Sequence, residues 1–462
     1  MSTPLSRRIF LKSGALALAS LGFAPALGPR FLRDVAFAAE SNRPSRGRKV
    51  LICVFLRGAV DGLSVVVPHG DAAYYQLRRQ GNGGIALPRT GEGAVLDLDG
   101  TFGLHPALRA LLPMYRSGHL APIHAVGSPN PTRSHFDAQD YMETALPGDK
   151  SGGDGWLTRA LANCPEDVRK RAAQIDKAAK SETKEEKTRI RAVSMTSQLP
   201  RSLGGDASAL AIADLGNFGV GKGAAAQPMN RRQRRNAPAR GSANPTAGFE
   251  SLYSDAIGDV LHGTGQETFG ALKLLENLAP NRYVPARGAV YPRGRLGDSL
   301  KGIAQLIKAD VGLEIGFAEA GGWDTHVNQG GSQGQLARRL QELGDGIGAL
   351  WNDLGDAMAD VTILTMSEFG RTARQNGDGG TDHGHGTCFL ALGGNVAGGR
   401  VLGKWPGLAP EQLYEGRDLS VTTDFRSVFG EIAARHLGVR DLGAVFPNFQ
   451  ADPAEFRGVM RT

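Results

Sequence analysis

Between Lys49 and Arg57 the chain carries Val50-Leu51-Ile52-Cys53-Val54-Phe55-Leu56, a run with no polar residue and no alternation. A strand with one wet face alternates apolar and polar side chains, because successive residues point to opposite sides. A run that is apolar at every position needs cover on both faces, which places it inside a sheet flanked by helices.

The rest of the chain fits around that strand. Leu104, Leu108, Leu111, Leu112 and Tyr115 recur at helical spacing and Leu120 to Val126 is a second apolar run, so the order strand, helix, strand predicts a parallel crossover. Val311 to Phe317 reads as a strand closing at Ala320-Gly321-Gly322-Trp323. Leu336, Leu340, Leu343, Ile347, Leu350 and Leu354 then draw one helical stripe. Val361 to Met366 and Cys388 to Leu392 read as further strands. Asp424 is placed to cap a last helix carrying Phe425, Val428, Phe429, Ile432 and Leu437. The pattern predicts an α/β fold. Residues 165–192, with mixed Lys, Arg, Glu and Asp, and 221–246, with Arg231-Arg232-Gln233-Arg234-Arg235, read as a solvated helix or arm and a flexible basic loop inserted into one domain spanning 39–462. Cys53, Cys164 and Cys388 form no disulfide framework, and Cys53 and Cys388 sit in apolar runs as buried thiols.

The amino terminus reads as an export signal. Ser6-Arg7-Arg8-Ile9-Phe10-Leu11-Lys12 has the twin-arginine pattern, Ala15 to Leu27 is apolar, and Ala36-Phe37-Ala38 suits cleavage near Ala38. The apolar stretch contains Gly, Ser and Pro and is short for a bilayer, so no permanent membrane anchor is expected. Residues 1–38 carry Arg7, Arg8, Lys12, Arg30 and Arg33 against Asp34, so their removal lowers the formal charge from +7 to +3. That residual charge gives no reason to expect a nucleic-acid partner. The expected partner is the twin-arginine export machinery, the expected location periplasmic or secreted. Because that route carries folded cargo, it suits a protein that loads a metal first.

Ionisable residues gather just after the predicted strands, where open α/β sheets place ligands. Asp61, in Arg57-Gly58-Ala59-Val60-Asp61-Gly62, is either a metal ligand or an Asx turn. Thr132, Arg133, Ser134 and His135 stand at a helix start that favours an anion; either hydroxyl is a nucleophile or simply a cap. Asp324 and His326 alternate on an extended segment and can converge on one ion. Glu368 and Arg371 close the strand ending at Met366, and Asp382, His383 and His385 follow among glycines as candidate ligands. Nitrogen and oxygen donors without cysteine favour Zn, Mn, Mg or Ca over an iron–sulfur centre. His69, His105, His119, His124, His262 and His436 read as structural, with no convincing partner.

Leu56-Arg57-Gly58, Asp61-Gly62-Leu63, Arg133-Ser134-His135-Phe136, Gly321-Gly322-Trp323-Asp324-Thr325-His326 and Ser367-Glu368-Phe369-Gly370-Arg371-Thr372 together resemble a twin-arginine-exported family, domain of unknown function 1501, placed within the alkaline phosphatase and sulfatase superfamily. The resemblance runs from about Val50 to Phe446. It implies a three-layer α/β/α sandwich with a central, mostly parallel sheet, alkaline-phosphatase-like. It also implies Asp61, Asp324, His326 and a late histidine, His383 or His385, as metal ligands, with Asp382 as a further ligand or an orienting group. Ser134 or Thr132 takes the nucleophile's place, and Arg133 or Arg371 the anion clamp. Glu368-Phe369 stands where the superfamily has Asp-His, which implies Glu368 as a further metal ligand and leaves one or two ions. The implied function is an exported metal-dependent hydrolase of phosphate or sulfate esters, acting on an anionic ester. The alternatives are a transferase using the same site, or a non-catalytic metal-binding or assembly protein on this fold.

Overall fold

Val50–Leu56 forms strand β1 with every residue buried. Its side chains divide with the twofold period of a strand: Val50, Ile52, Val54 and Leu56 enter one apolar core, and Leu51, Cys53 and Phe55 enter another. The first core holds Leu300 and Ile303 from helix Arg295–Lys308 and Leu340, Leu343 and Ile347 from helix Gln335–Leu354. The second holds Trp156 and Leu157 from helix Trp156–Ala162 and Phe425, Phe429 and Ile432 from helix Phe425–Arg435. Helices therefore cover both faces of the sheet, as an unalternating strand requires.

The computed structural model describes residues 47–462 except 82, 166–189, 206–208, 216–273 and 276–282. The export signal with its cleavage point, residues 166–189 and 221–246 of the two insertions, and His262 lie outside the described residues. Among the described residues no helix is long and apolar enough to cross a membrane.

In chain order the strands are β1, β2 (Val66–Val67), β3 (Leu96–Asp97), β4 (Gly103–Leu104), β5 (Leu120–Gly127), β6 (Ala192–Ser194), β7 (Ala209–Ala211), β8 (Ile315–Ala320), β9 (Val361–Met366), β10 (Thr387–Gly393) and β11 (Thr423–Asp424). Eight of them form one sheet in the order β11-β5-β10-β9-β1-β8-β6-β7, and β2-β4-β3 form a small second sheet. The main sheet is mostly parallel, with β10 antiparallel to both β5 and β9. This is an α/β fold, with β1 between β8 and β9.

Three sequence expectations shift. The strand expected at Val311 to Phe317 is Ile315–Ala320, because Asp310 (φ 50°) and Gly312 (φ 96°) turn the backbone left-handed before it extends. Of the stripe from Leu104 to Tyr115, Leu104 ends β4, and the rest is a 3₁₀ segment, Pro106–Leu111, followed by a short helix, Leu112–Arg116; Pro106 and Pro113 stand at their starts. Ala192, placed at the end of the first insertion, opens a sheet strand.

Three histidines are structural, as expected. His105 Nδ1 accepts from Ala107 N, so Nε2–H donates to Gly331 O. His124 Nδ1 accepts from Ala125 N while Nε2–H donates to Val66 O. His436 accepts from Thr362 Oγ1 and donates to Val50 O. Each neutral ring is fully satisfied, and burial pushes each pKa down to about 4 from 6.5. The unfolded chain binds these protons first, so their contribution is complete above pH ~6.5 and is lost as pH falls toward 4, on the order of 3 kcal/mol per ring. Urea midpoints measured from pH 7.5 to 4.5 should fall over that window, and a flat profile would contradict the neutral assignment. His69, read as having no partner, has Asp97 Oδ1 2.9 Å away.

Candidate metal centre

Because β1, β8 and β9 are parallel neighbours, their carboxyl ends deliver the segments after Leu56, Ala320 and Met366 to one edge. Trp323 is wholly buried, and its indole N–H donates to Ala320 O at 2.9 Å, fixing the turn that presents Asp324. Gly58 (φ 118°) passes so near this turn that a Cβ would sit 2.8 Å from Asp324 N. Beyond β9 the chain folds back on itself: Thr372 N donates to Asp382 O and Gly384 N to Gly370 O, both at 2.9 Å, which sets His383 opposite Arg371. From another direction comes helix His135–Thr144, whose cap Ser134 accepts from Asp137 N.

These segments bring three imidazoles and one carboxylate together. His383 Nε2 lies 3.0 Å from His135 Nε2 and 3.0 Å from His326 Nε2. Asp324 Oδ1 is 3.2 Å from His383 Nε2 and 3.0 Å from His326 Nε2, and its Oδ2 is 3.5 Å from His135 Nε2. The other ring nitrogen of each histidine faces an acceptor that cannot donate: His135 Nδ1 meets Glu368 Oε1 at 2.8 Å, His326 Nδ1 meets Asp382 Oδ1 at 3.0 Å, and His383 Nδ1 meets Arg133 O at 3.0 Å. With both carboxylates ionised, these contacts place a proton on each Nδ1, so in each ring when neutral the Nε2 lone pair is aimed inward. Three lone pairs this close repel unless a cation or proton lies among them. Among the described residues His135, Asp324 and His383 satisfy the spacing of a metal-binding group, and His326 adjoins it through His383 and Asp324.

The charges agree with that geometry. Asp324, Glu368 and Asp382 oppose one guanidinium, Arg371, which donates to Asp324 Oδ1 at 2.6 Å; with neutral imidazoles the cluster carries two net negative charges. Glu368 is fully buried and also accepts from Gln139 Nε2 and Gly58 N. Burial raises its pKa, but His135, Gln139 and Gly58 outweigh that and hold it below the usual carboxylate range. The hydrogen bond to Glu368 raises the pKa of His135 against the opposing effect of burial, while burial, ahead of nearby positive charge, lowers that of His383. Burial also acts upward on Asp324, where Arg371 prevails and keeps the group ionised. Phe369, where an imidazole was expected by resemblance, stacks on His135 with ring centroids 4.9 Å apart.

Of the remaining candidates, Arg371 adjoins the cluster through Asp324 and the side chains of the others are placed elsewhere. Both oxygens of Asp61 accept from Arg78, at 2.7 and 2.9 Å, and Ser64 Oγ and Gln329 Nε2 donate to Oδ2. Burial pushes the Asp61 pKa up, yet Arg78 with these hydrogen bonds holds it below its ordinary value. The guanidinium of Arg133 turns to Asp418 and Glu415, and only its carbonyl reaches the cluster. Arg371 is buried and engaged by Asp324 and Thr381. His385 stacks on Tyr414 and is not brought to the cluster. Thr132 Oγ1 accepts from Ser134 N. Sequence reasoning missed Arg78, Gln139, Gln329 and Asn376, which donates to Asp382 Oδ1 and His326 O. None lies in a motif; only their partners identify them.

Residues 304–447 match the model of a family described as "Protein of unknown function (DUF1501)", which supports that family assignment. The matched stretch contains Asp324, His326, Glu368, Asp382 and His383 but not His135. No curated protein and no solved structure matches the chain.

Proposed function

We propose that this chain, with its DUF1501 match, is an exported hydrolase of phosphate or sulfate esters that holds one divalent cation on His135, Asp324, His326 and His383. The observation that carries the reading is the convergence of three Nε2 atoms whose Nδ1 partners are all fixed. Outer carboxylates that orient ligating histidines in this way are the usual support of a metal site. The two net negative charges match one divalent ion. Three imidazoles with one carboxylate suit Zn²⁺ or Mn²⁺, whereas Mg²⁺ and Ca²⁺ prefer oxygen. One ion is favoured over two because Asp61 is committed to Arg78.

A cation bound there supplies Lewis acidity toward an ester oxygen or a water molecule. Arg371 holds Asp324 in its ionised form, and Glu368 and Asp382 fix two of the imidazole tautomers. The side chains of Asp324 and His326 are 43% and 40% exposed, so a substrate can reach this face. The amino end of helix His135–Thr144 adds partial positive charge for an anionic group. Ser134 and Thr132 stand at that end as the nucleophile candidates.

A non-catalytic metal-binding role is the second reading, favoured by the engagement of both Arg133 and Arg371 with carboxylates. Zn²⁺ or Mn²⁺ titrated into exported, metal-stripped protein should bind with a stoichiometry near one and raise its melting temperature. The loaded protein should then hydrolyse an aryl phosphate or aryl sulfate, with either Ser134→Ala or Thr132→Ala losing activity. Binding without hydrolysis selects the second reading, and no binding rejects both.

A further inference from the structure

A buried chain of hydrogen bonds leads from the metal cluster back to Asp61. Arg371 Nε donates to Thr381 Oγ1 at 3.2 Å, and Thr381 Oγ1 donates to Gln329 Oε1 at 2.8 Å. Thr325 Oγ1 donates to the same Gln329 oxygen at 2.7 Å, and Gln329 Nε2 donates to Asp61 Oδ2 at 2.7 Å. Thr381 and Gln329 are wholly buried, and Thr325 nearly so. Because the ionised Asp61 can only accept, the Gln329 amide has one permitted orientation, with nitrogen toward Asp61 and oxygen toward the threonines. Each threonine proton is then assigned to Gln329, which leaves the Thr381 lone pairs for Arg371. Every donor along the chain points from Arg371 toward Asp61, and the Asp61–Arg78 ion pair terminates it.

Arg371 is thus held on two sides. Its Nη1 donates to Asp324 Oδ1 at 2.6 Å, while Nε and Nη2 are fixed by the hydroxyl and carbonyl of Thr381. We infer that Thr381 and Gln329, anchored on Asp61–Arg78, are positioning residues for the metal centre: they set the guanidinium of Arg371 and through it the carboxylate of Asp324. Neither side chain hydrogen-bonds His135, Asp324, His326 or His383; Thr381 acts through Arg371 and Gln329 through Thr381. The inference rests on the metal reading proposed above.

Co²⁺ is a suitable probe because its visible spectrum reports ligand geometry independently of catalysis. The cost of about 10–100-fold applies to a direct outer partner of a ligand, here Arg371, so in exported full-length protein Thr381→Val should weaken Co²⁺ binding by up to about 10-fold and Gln329→Met by somewhat less. Both should also change the visible bands. Thr381→Ser, which keeps the hydroxyl, should restore affinity and spectrum. Gln329→Met also strands the buried hydroxyls of Thr325 and Thr381, so that metal-free protein should melt lower, and Co²⁺ affinity and spectrum are compared below its melting temperature. Wild-type affinity and spectrum in both variants would overturn the inference, as would a Thr381→Ser protein as weak as Thr381→Val. Failure of the wild-type protein itself to bind Co²⁺ is a different outcome, which rejects the metal centre and this inference with it.

Discussion

Substitution of His383 by alanine is expected to abolish divalent metal binding. His383 Nε2 lies 3.0 Å from each of the other two imidazole nitrogens and 3.2 Å from Asp324 Oδ1, so no other atom is as central to the cluster. Losing an outer partner of a ligand costs about 10–100-fold in affinity, and losing this inner one should exceed that. Linkage makes the effect visible as stability: at ~100 times Kd a ligand adds about 2.7 kcal/mol, and the variant should gain almost none of it. His385→Ala is the matched comparison, since His385 stacks on Tyr414 outside the cluster and its loss should leave stoichiometry unchanged. Equal metal content in His383→Ala and wild-type protein, measured after dialysis, would remove the proposed centre.

Replacement of Arg78 by methionine is expected to cost about 3–5 kcal/mol, the range for stranding one member of a buried ion pair. Both residues are about 1% exposed. Arg78 also donates from Nε to Ala373 O and from Nη2 to Thr372 O, so those carbonyls lose a partner as well. In the wild-type protein the Asp61 pKa is depressed. Its contribution is therefore present above the unfolded value, near 3.8, and is lost as pH falls through the folded one. Without Arg78 burial dominates and raises that pKa, so the sign reverses: the deficit should be largest at neutral pH and shrink on acidification. Denaturant titrations at two pH values test this directly. The double variant Asp61→Leu/Arg78→Met removes both charges and should recover the part of the loss due to the stranded carboxylate, and a double variant as weak as the single one would contradict the ion-pair account.

These two expectations separate what is local from what is not. The strand Val50–Leu56, the helix stripe from Leu336 to Leu354, the strand Val361–Met366 and the caps Ser134 and Asp424 were legible in the sequence. Each depends on residues within a turn or two, where periodicity and capping chemistry act. The placing of candidate ligands at the ends of strands was legible for the same reason, and Asp324, His326 and His383 do meet there, joined by His135, which the sequence placed with the catalytic candidates at a helix start.

Which candidates would meet was decided only by the tertiary structure. Asp61 and His385 have the same kind of local setting as Asp324 and His383, among glycines after or before a strand. Yet Asp61 is claimed by Arg78 and His385 by Tyr414. Arg133 stands beside the cluster in sequence, but its guanidinium is drawn to Asp418, 285 residues away, while its carbonyl takes the role of holding His383. Local pattern fixes where a backbone goes next and which face is apolar. A side chain's charge partner and tautomer depend on separations between distant segments, set when the parallel strands β1, β8 and β9 align their carboxyl ends.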